Sequence, residues 1–211
     1  MEKILLNYFQ EDTIVKELIE KDDKKNISQY FKAIGKLLGL YKMVKSDAIK
    51  SGVKKDTIKK ADQYVAKSIK KLKTAKSSVN ECTSVGIDEV VILEGVFVSV
   101  LKEVALGIIR AVLIILAVMA APFISVSIPA IGPIIGTAII GSSFILHIVN
   151  NIYTFVRIIL VIIHHAQQGT IDKETANQQA KKATKKLLAS IEKETNDPGL
   201  KRKIGEVKQK L

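Results

Sequence analysis

Apolar positions along this chain keep one rhythm at its two ends and a different one in the middle. Up to about residue 79 they recur at three- and four-residue steps among polar neighbours, the spacing of a helix with one buried face. Ile4, Tyr8, Val15, Leu18 and Ile19 mark the first such stripe, which predicts a helix over roughly 2–20. Polar Lys21-Asp22-Asp23-Lys24-Lys25 interrupts it. Asn26 and Ser28 can cap a second helix running to about Ile49, striped by Phe31, Ile34, Leu37, Leu38, Tyr41 and Val44 and ended by Gly52. Asp56 can cap a third to about residue 79, striped by Ile58, Ala61, Val65, Ile69 and Leu72.

After a link over 83–88 the alternation stops. From Val90 to about Ala121 the chain reads as one apolar helix, on the order of 48 Å long. Glu94, Lys102, Glu103 and Arg110 lie in its first two-thirds. From Ala111 to Val156, 46 residues pass without a charged side chain. About 20 apolar residues span a bilayer core of roughly 30 Å, so the run is long enough for two passes. Pro122, Pro129, Gly132 and Pro133 predict a turn over 122–133, because proline does not continue a helix. A second apolar helix is expected from Ile134 to His165, with Gly136 and Gly141 on a small-residue face of the kind that lets helices pack closely in lipid. Helical spacing then returns. Asp172 can cap a helix to about Thr195, striped by Ala176, Ala180, Ala183, Leu187 and Ile191, and Asn196-Asp197-Pro198-Gly199 makes a turn into a short Lys-rich helix.

The pattern predicts an all-α protein in which amphipathic Lys-rich helices flank a long hydrophobic helical hairpin of the membrane type. Three regions follow: a basic amphipathic one over 1–88, the hairpin over 89–168 and a basic tail over 169–211. The flanks have two readings. They can form a soluble bundle that buries their stripes, or lie on an anionic membrane surface.

Charge sharpens this division. The net +12 sits entirely in the flanks, +7 over 1–88 and +5 over 166–211, while the centre is neutral. Such flanks favour anionic partners, either lipid headgroups or nucleic acid. Candidate contacts are Lys59, Lys60, Lys67, Lys70 and Lys71 on one helix and Lys181, Lys182, Lys185 and Lys186 on another. Lys outnumbers Arg 30 to 3, Trp is absent, and base readout leans on bidentate Arg, so nucleic-acid contact would be non-specific. Basic residues are retained on the cytoplasmic side of a membrane, so a two-pass hairpin with both termini there fits the charge pattern.

No constellation of catalysis stands out, whether a phosphate-binding glycine loop, a nucleophile elbow or a zinc spacing. Cys82 is alone, so no intrachain disulfide can form. No enzyme activity, small-molecule substrate, cofactor or metal is expected. His147 falls within the apolar run and reads as a neutral histidine facing another helix, whereas His164-His165 fit a headgroup boundary. Asn150, Asn151 and Arg157 either line an aqueous path or mark where the helix leaves lipid.

Lys-rich amphipathic helices around the uncharged stretch Ala111–Val156 are similar to pore-forming bacteriocin domains of the colicin type. That resemblance implies a hairpin held inside a soluble bundle that later inserts into a membrane. The chain departs from it in the 46 or so residues after the hairpin and in the long charged helix leading in. The segment Ala130-Ile131-Gly132-Pro133-Ile134-Ile135-Gly136 also resembles viral fusion or membrane-penetration segments. The expectation is a non-enzymatic, membrane-inserting, pore-forming or membrane-penetrating protein, acting on a lipid bilayer as a homo-oligomer or larger assembly. The alternative is a structural protein of a virion-like assembly, with the hairpin buried between chains and the lysines on nucleic acid or acidic partners.

Overall fold

The computed structural model describes residues 26–82, 88–125, 128–141 and 145–211, so the expected first helix and most of the 83–88 link lie outside the described residues. Seven helices make up the described chain: α1 (Asn26–Lys50), α2 (Lys55–Cys82), α3 (Asp88–Ala120), α4 (Ile128–Gly141), α5 (Ile145–Gln167), α6 (Lys173–Glu194) and α7 (Pro198–Lys210). No strand occurs among the described residues, and the protein is all-α.

Local chemistry sets the helix ends. Gly52 takes φ +72° in the turn after α1, a left-handed conformation that costs glycine little. Asp172 accepts from the Thr175 amide at 2.7 Å and so caps α6. Asp197 caps α7 by accepting from the Gly199 and Leu200 amides, and Pro198 fills the first turn, where its missing N–H has no helical acceptor.

Cross-helix contacts fix the directions. The Phe31 and Phe97 rings meet at 6.2 Å near the starts of α1 and α3, and Lys36 Nζ on α1 donates to Asn150 Oδ1 on α5 at 2.7 Å. At the other end Met43, Met119 and Leu160 line one cleft. So α1, α3 and α5 run parallel and finish together at what is here called the upper end. The other long helices run against them. Ser68 on α2 faces Gly107 on α3 and Lys71 pairs with Glu103. On α4, Gly132 lies beside Leu113 and Gly136 beside Leu106 of α3, and Asn151 on α5 bonds Ser190 on α6.

The core sits around α3, which touches α1, α2, α4 and α5. Its inner residues Leu101, Ile108, Val112, Ile115 and Leu116 are buried, and the stripes of α1 (Phe31, Ile34, Leu37, Tyr41, Val44) and α2 (Ala61, Val65, Leu72) close over them. Burial of this much aliphatic surface is the main term holding the bundle together.

The apolar centre differs from the two-helix hairpin expected. The turn is confined to the residues after Ala120, and Ile128 already begins α4, so Pro129, Gly132 and Pro133 lie within a helix. The prolines permit this because Pro129 occupies the first turn, where no amide bond is lost, and Pro133 removes only one bond. The second apolar helix is also two helices, since α4 stops at Gly141 and α5 begins at Ile145. At about 1.5 Å per residue α4 is on the order of 21 Å long, short of a bilayer core. It returns the chain between α3 and α5, which is why those two point the same way.

Candidate functional site: an apolar face between basic flanks

Among the described residues two helices are long and apolar enough to cross a membrane, Phe97–Ala120 within α3 and Ile145–Gln167, which is α5. They differ in how the bundle treats them. Of the α3 window 67% is buried in protein, against 44% for α5. The water-facing side of α5 should therefore be polar and charged, as that of α6 is. It is polar but almost without fixed charge: His147, Asn150, Thr154, Arg157, His164, His165 and Gln167 are exposed beside two aliphatics, Ile158 and Val161, and Arg157 is its only Lys, Arg, Asp or Glu. Nor does α4 carry any charge, and Ile140 at its end is 59% exposed. Val118 near the end of α3 is also exposed.

The basic flanks pack against these apolar helices. Lys59, Lys60, Lys67, Lys70 and Lys71 are all exposed along α2, and Lys181, Lys182, Lys185 and Lys186 along α6. They form two strips rather than one, because α2 packs on α3 and α6 on α5. Lys71 is engaged with Glu103, and on the C-terminal side Lys208 of α7 pairs with Glu192 of α6.

At the predicted turn Pro122 is exposed beyond α3, and Pro133 is exposed on α4. The predicted packing glycines divide. A Cβ at Gly132 would meet Leu113 at 3.6 Å and one at Gly136 would meet Leu106 at 3.7 Å, both ordinary contacts, whereas Gly141 faces open space. A much tighter approach occurs at Gly107. A Cβ at Gly107 would lie 1.9 Å from Ser68 Oγ, so only glycine lets α2 press onto α3 there. Sequence reading missed Gly107, whose one signal was a lone glycine inside an apolar helix.

Polar residues within the apolar region tie it to its cover. Asn150 accepts from Lys36 of α1, and Asn151 bonds Ser190 of α6. They pin α5 to neighbours, a role the sequence did not suggest. Arg157 stacks 5.9 Å above the Tyr153 ring. His147 does not face another helix from within the core. Its position in the first turn of α5 leaves its side chain 70% exposed, 3.8 Å from Glu194. Lys102 reaches across to donate to the Ile140 carbonyl at 2.7 Å, capping the end of α4 where the helix dipole favours a cation.

At the α1–α2 seam the Asp62 carboxylate accepts from Tyr41 Oη at 2.6 Å and from Lys45 Nζ at 2.6 and 2.8 Å. Burial pushes this carboxyl up, but the hydrogen bonds from Lys45 and Tyr41 and the lysine charge together outweigh it and hold it below its ordinary value. The Tyr41 phenol is raised, first by burial and then by the adjacent carboxylate. Among the described residues no group of three or more His, Cys, Asp or Glu could hold a metal ion. Comparison with protein-family models, with curated proteins and with solved structures finds no match to this chain.

Proposed function

We propose that the protein is a membrane-inserting helical bundle, in which the basic amphipathic helices α1, α2, α6 and α7 keep the apolar helices α3, α4 and α5 folded in water until they meet an anionic bilayer. The supporting observation is the water-facing side of α5, which carries one charged side chain where α6 carries a row of lysines. A partly exposed helix of a soluble bundle can carry many charges on that side, whereas one that later enters lipid must carry few, and α5 is also long and apolar enough to cross a bilayer. The buried position of α3 fits the same reading, since its most apolar surface is withheld from water.

Insertion would end in permeabilisation through association of several copies. Retention of both basic flanks on the side of synthesis requires an even number of passes. Because α3 and α5 point the same way in the bundle, a two-pass state requires one of them to turn over relative to the other, with α4 as the connecting segment.

Dye release from anionic liposomes and carbonate extraction of the bound protein test this reading. Release, with protein retained after carbonate, is the expected outcome. Protein that stays soluble across pH and lipid composition and releases nothing overturns it. If such protein instead formed large soluble particles, the assembly reading would take its place, with the α4–α5 face covered by other copies.

A further inference from the structure

Three helices finish at the upper end, and between them lies a cleft of about 720 Å³. Its size falls within the range of about 300–1,000 Å³ common to ligand sites. One wall is apolar, made by Met43 of α1, Met119 of α3, and Leu160 and Val161 of α5. The polar lining is unbalanced in charge. Lys50 of α1 and Arg157 of α5 contribute two fixed cations against the one carboxylate of Asp47. His164 and His165 add two imidazoles, held toward the α5–α6 turn by 2.9 Å contacts with Gln168 and Thr170.

Around the cleft, exposed apolar residues sit among the polar α1–α2 and α5–α6 turns. Ile49 is 57% exposed, Val161 55% and Val118 43%, and the turn after α3 presents uncharged residues from Ala121 to Ser125 with Pro122 exposed. A small soluble anion would use Lys50 and Arg157 but leave the methionine wall unfilled. A single-stranded nucleic acid would need stacking surfaces, and no Phe, Tyr or Trp lines the cleft.

We infer that this upper-end cleft is a docking site for one anionic phospholipid of a bilayer, its phosphate held by Arg157 and Lys50 and an acyl chain laid along Met43, Met119, Leu160 and Val161. A guanidinium offers a phosphate two parallel N–H donors, and Lys50 supplies a second charge from the facing helix. The inference rests on the membrane reading above and adds which end approaches the bilayer first. The lysine strips on α2 and α6 then provide long-range attraction, and the cleft provides registry. This end also carries the turn after α3, the hairpin tip, so docking brings the apolar helices against lipid before they leave the bundle.

The test uses the full chain with Cys82→Ser and an environment-sensitive dye on either Ser51→Cys, in the cleft, or Gln178→Cys, on the exposed side of α6. Phosphatidylcholine vesicles with and without phosphatidylglycerol are the probes, and circular dichroism checks that each variant folds. The Ser51 dye is expected to shift to the blue with phosphatidylglycerol vesicles only, while the Gln178 dye stays unchanged. Paired reversal Lys50→Glu with Arg157→Glu is expected to weaken vesicle binding about tenfold or more, and Lys181→Glu with Lys182→Glu, the same change in net charge, less than about threefold. Equal losses from the two pairs, or a shift at Gln178 with none at Ser51, would overturn the inference. Dye release recorded in the same samples separates the two proposals. A Ser51 shift without release supports docking and sinks insertion, and release without a Ser51 shift does the reverse.

Discussion

At the scale of single residues the bundle depends most on Gly107. With Ser68 Oγ 1.9 Å from where its Cβ would stand, Gly107→Ala forces the serine to move or α2 to lift from α3, a strain of about 1–3 kcal/mol by analogy with other overpacked cores. Pairing it with Ser68→Ala should recover part of that loss, since the first atom met is the hydroxyl, although the two Cβ atoms would still be tight at 3.2 Å. Urea midpoints of the two single variants and the double variant check this, and additive losses would argue against the clash. Asp62 sets a pH dependence. Its folded carboxyl titrates below the ordinary value of about 3.9, so its contribution is complete above that value and disappears as pH falls through the lower folded value. Asp62→Asn should therefore destabilise at pH 7 by no more than about 1 kcal/mol, because the pair is screened by solvent, and the difference from the parent should vanish toward pH 2. Neither residue was legible beforehand. A stripe of apolar positions reveals which face of a helix is buried, but not which polar residue of a second helix will lie opposite it.

Whole elements were easier to read than their neighbours in space. Gly52, Asp172 and the Asn196–Gly199 turn mark boundaries through local chemistry, and they agree with the end of α1 and with α6 and α7 to within a few residues. The apolar centre was misread because its periodicity carries no phase. When every position is apolar, a break shows only through proline or glycine, and here Pro122 marks one but Pro129 and Pro133 fall inside α4, while the next helix boundary comes at Gly141. That placement makes Gly136 informative. It lies inside α4, and an added methyl would meet Leu106 at an ordinary 3.7 Å, so Gly136→Ala should gain up to about 1 kcal/mol through helix propensity alone. Gly136→Leu should instead push α4 away from α3. Hydrogen exchange across residues 128–141 reads both, with slower exchange expected for alanine and faster for leucine. Faster exchange in both variants would mean that α4 needs glycine for some reason other than packing against Leu106.

Considered as a whole, the molecule withholds its longest apolar helix beneath two basic ones, and insertion requires that cover to open. The tight contact between α2 and α3 offers a way to forbid it. A Cβ at Gly107 would stand 3.2 Å from the Ser68 Cβ, a few tenths of an ångström short of the roughly 3.5–4.5 Å that a disulfide spans. A chain carrying Ser68→Cys and Gly107→Cys with Cys82→Ser can thus be bridged by a small relaxation of the two helices. The bridge would hold α2 on α3 without touching the lysine strips or the upper-end cleft. The oxidised protein should bind phosphatidylglycerol vesicles as tightly as the reduced form, because the binding surfaces are unchanged. It should release little dye, because α3 cannot leave its cover, and a reductant added to the bound protein should restore release. A bridge that abolished binding as well would mean that binding already requires α2 to lift. Undiminished release by the bridged protein would mean that α3 enters lipid with α2 still attached, and the covering role assigned to the basic helices would have to be given up.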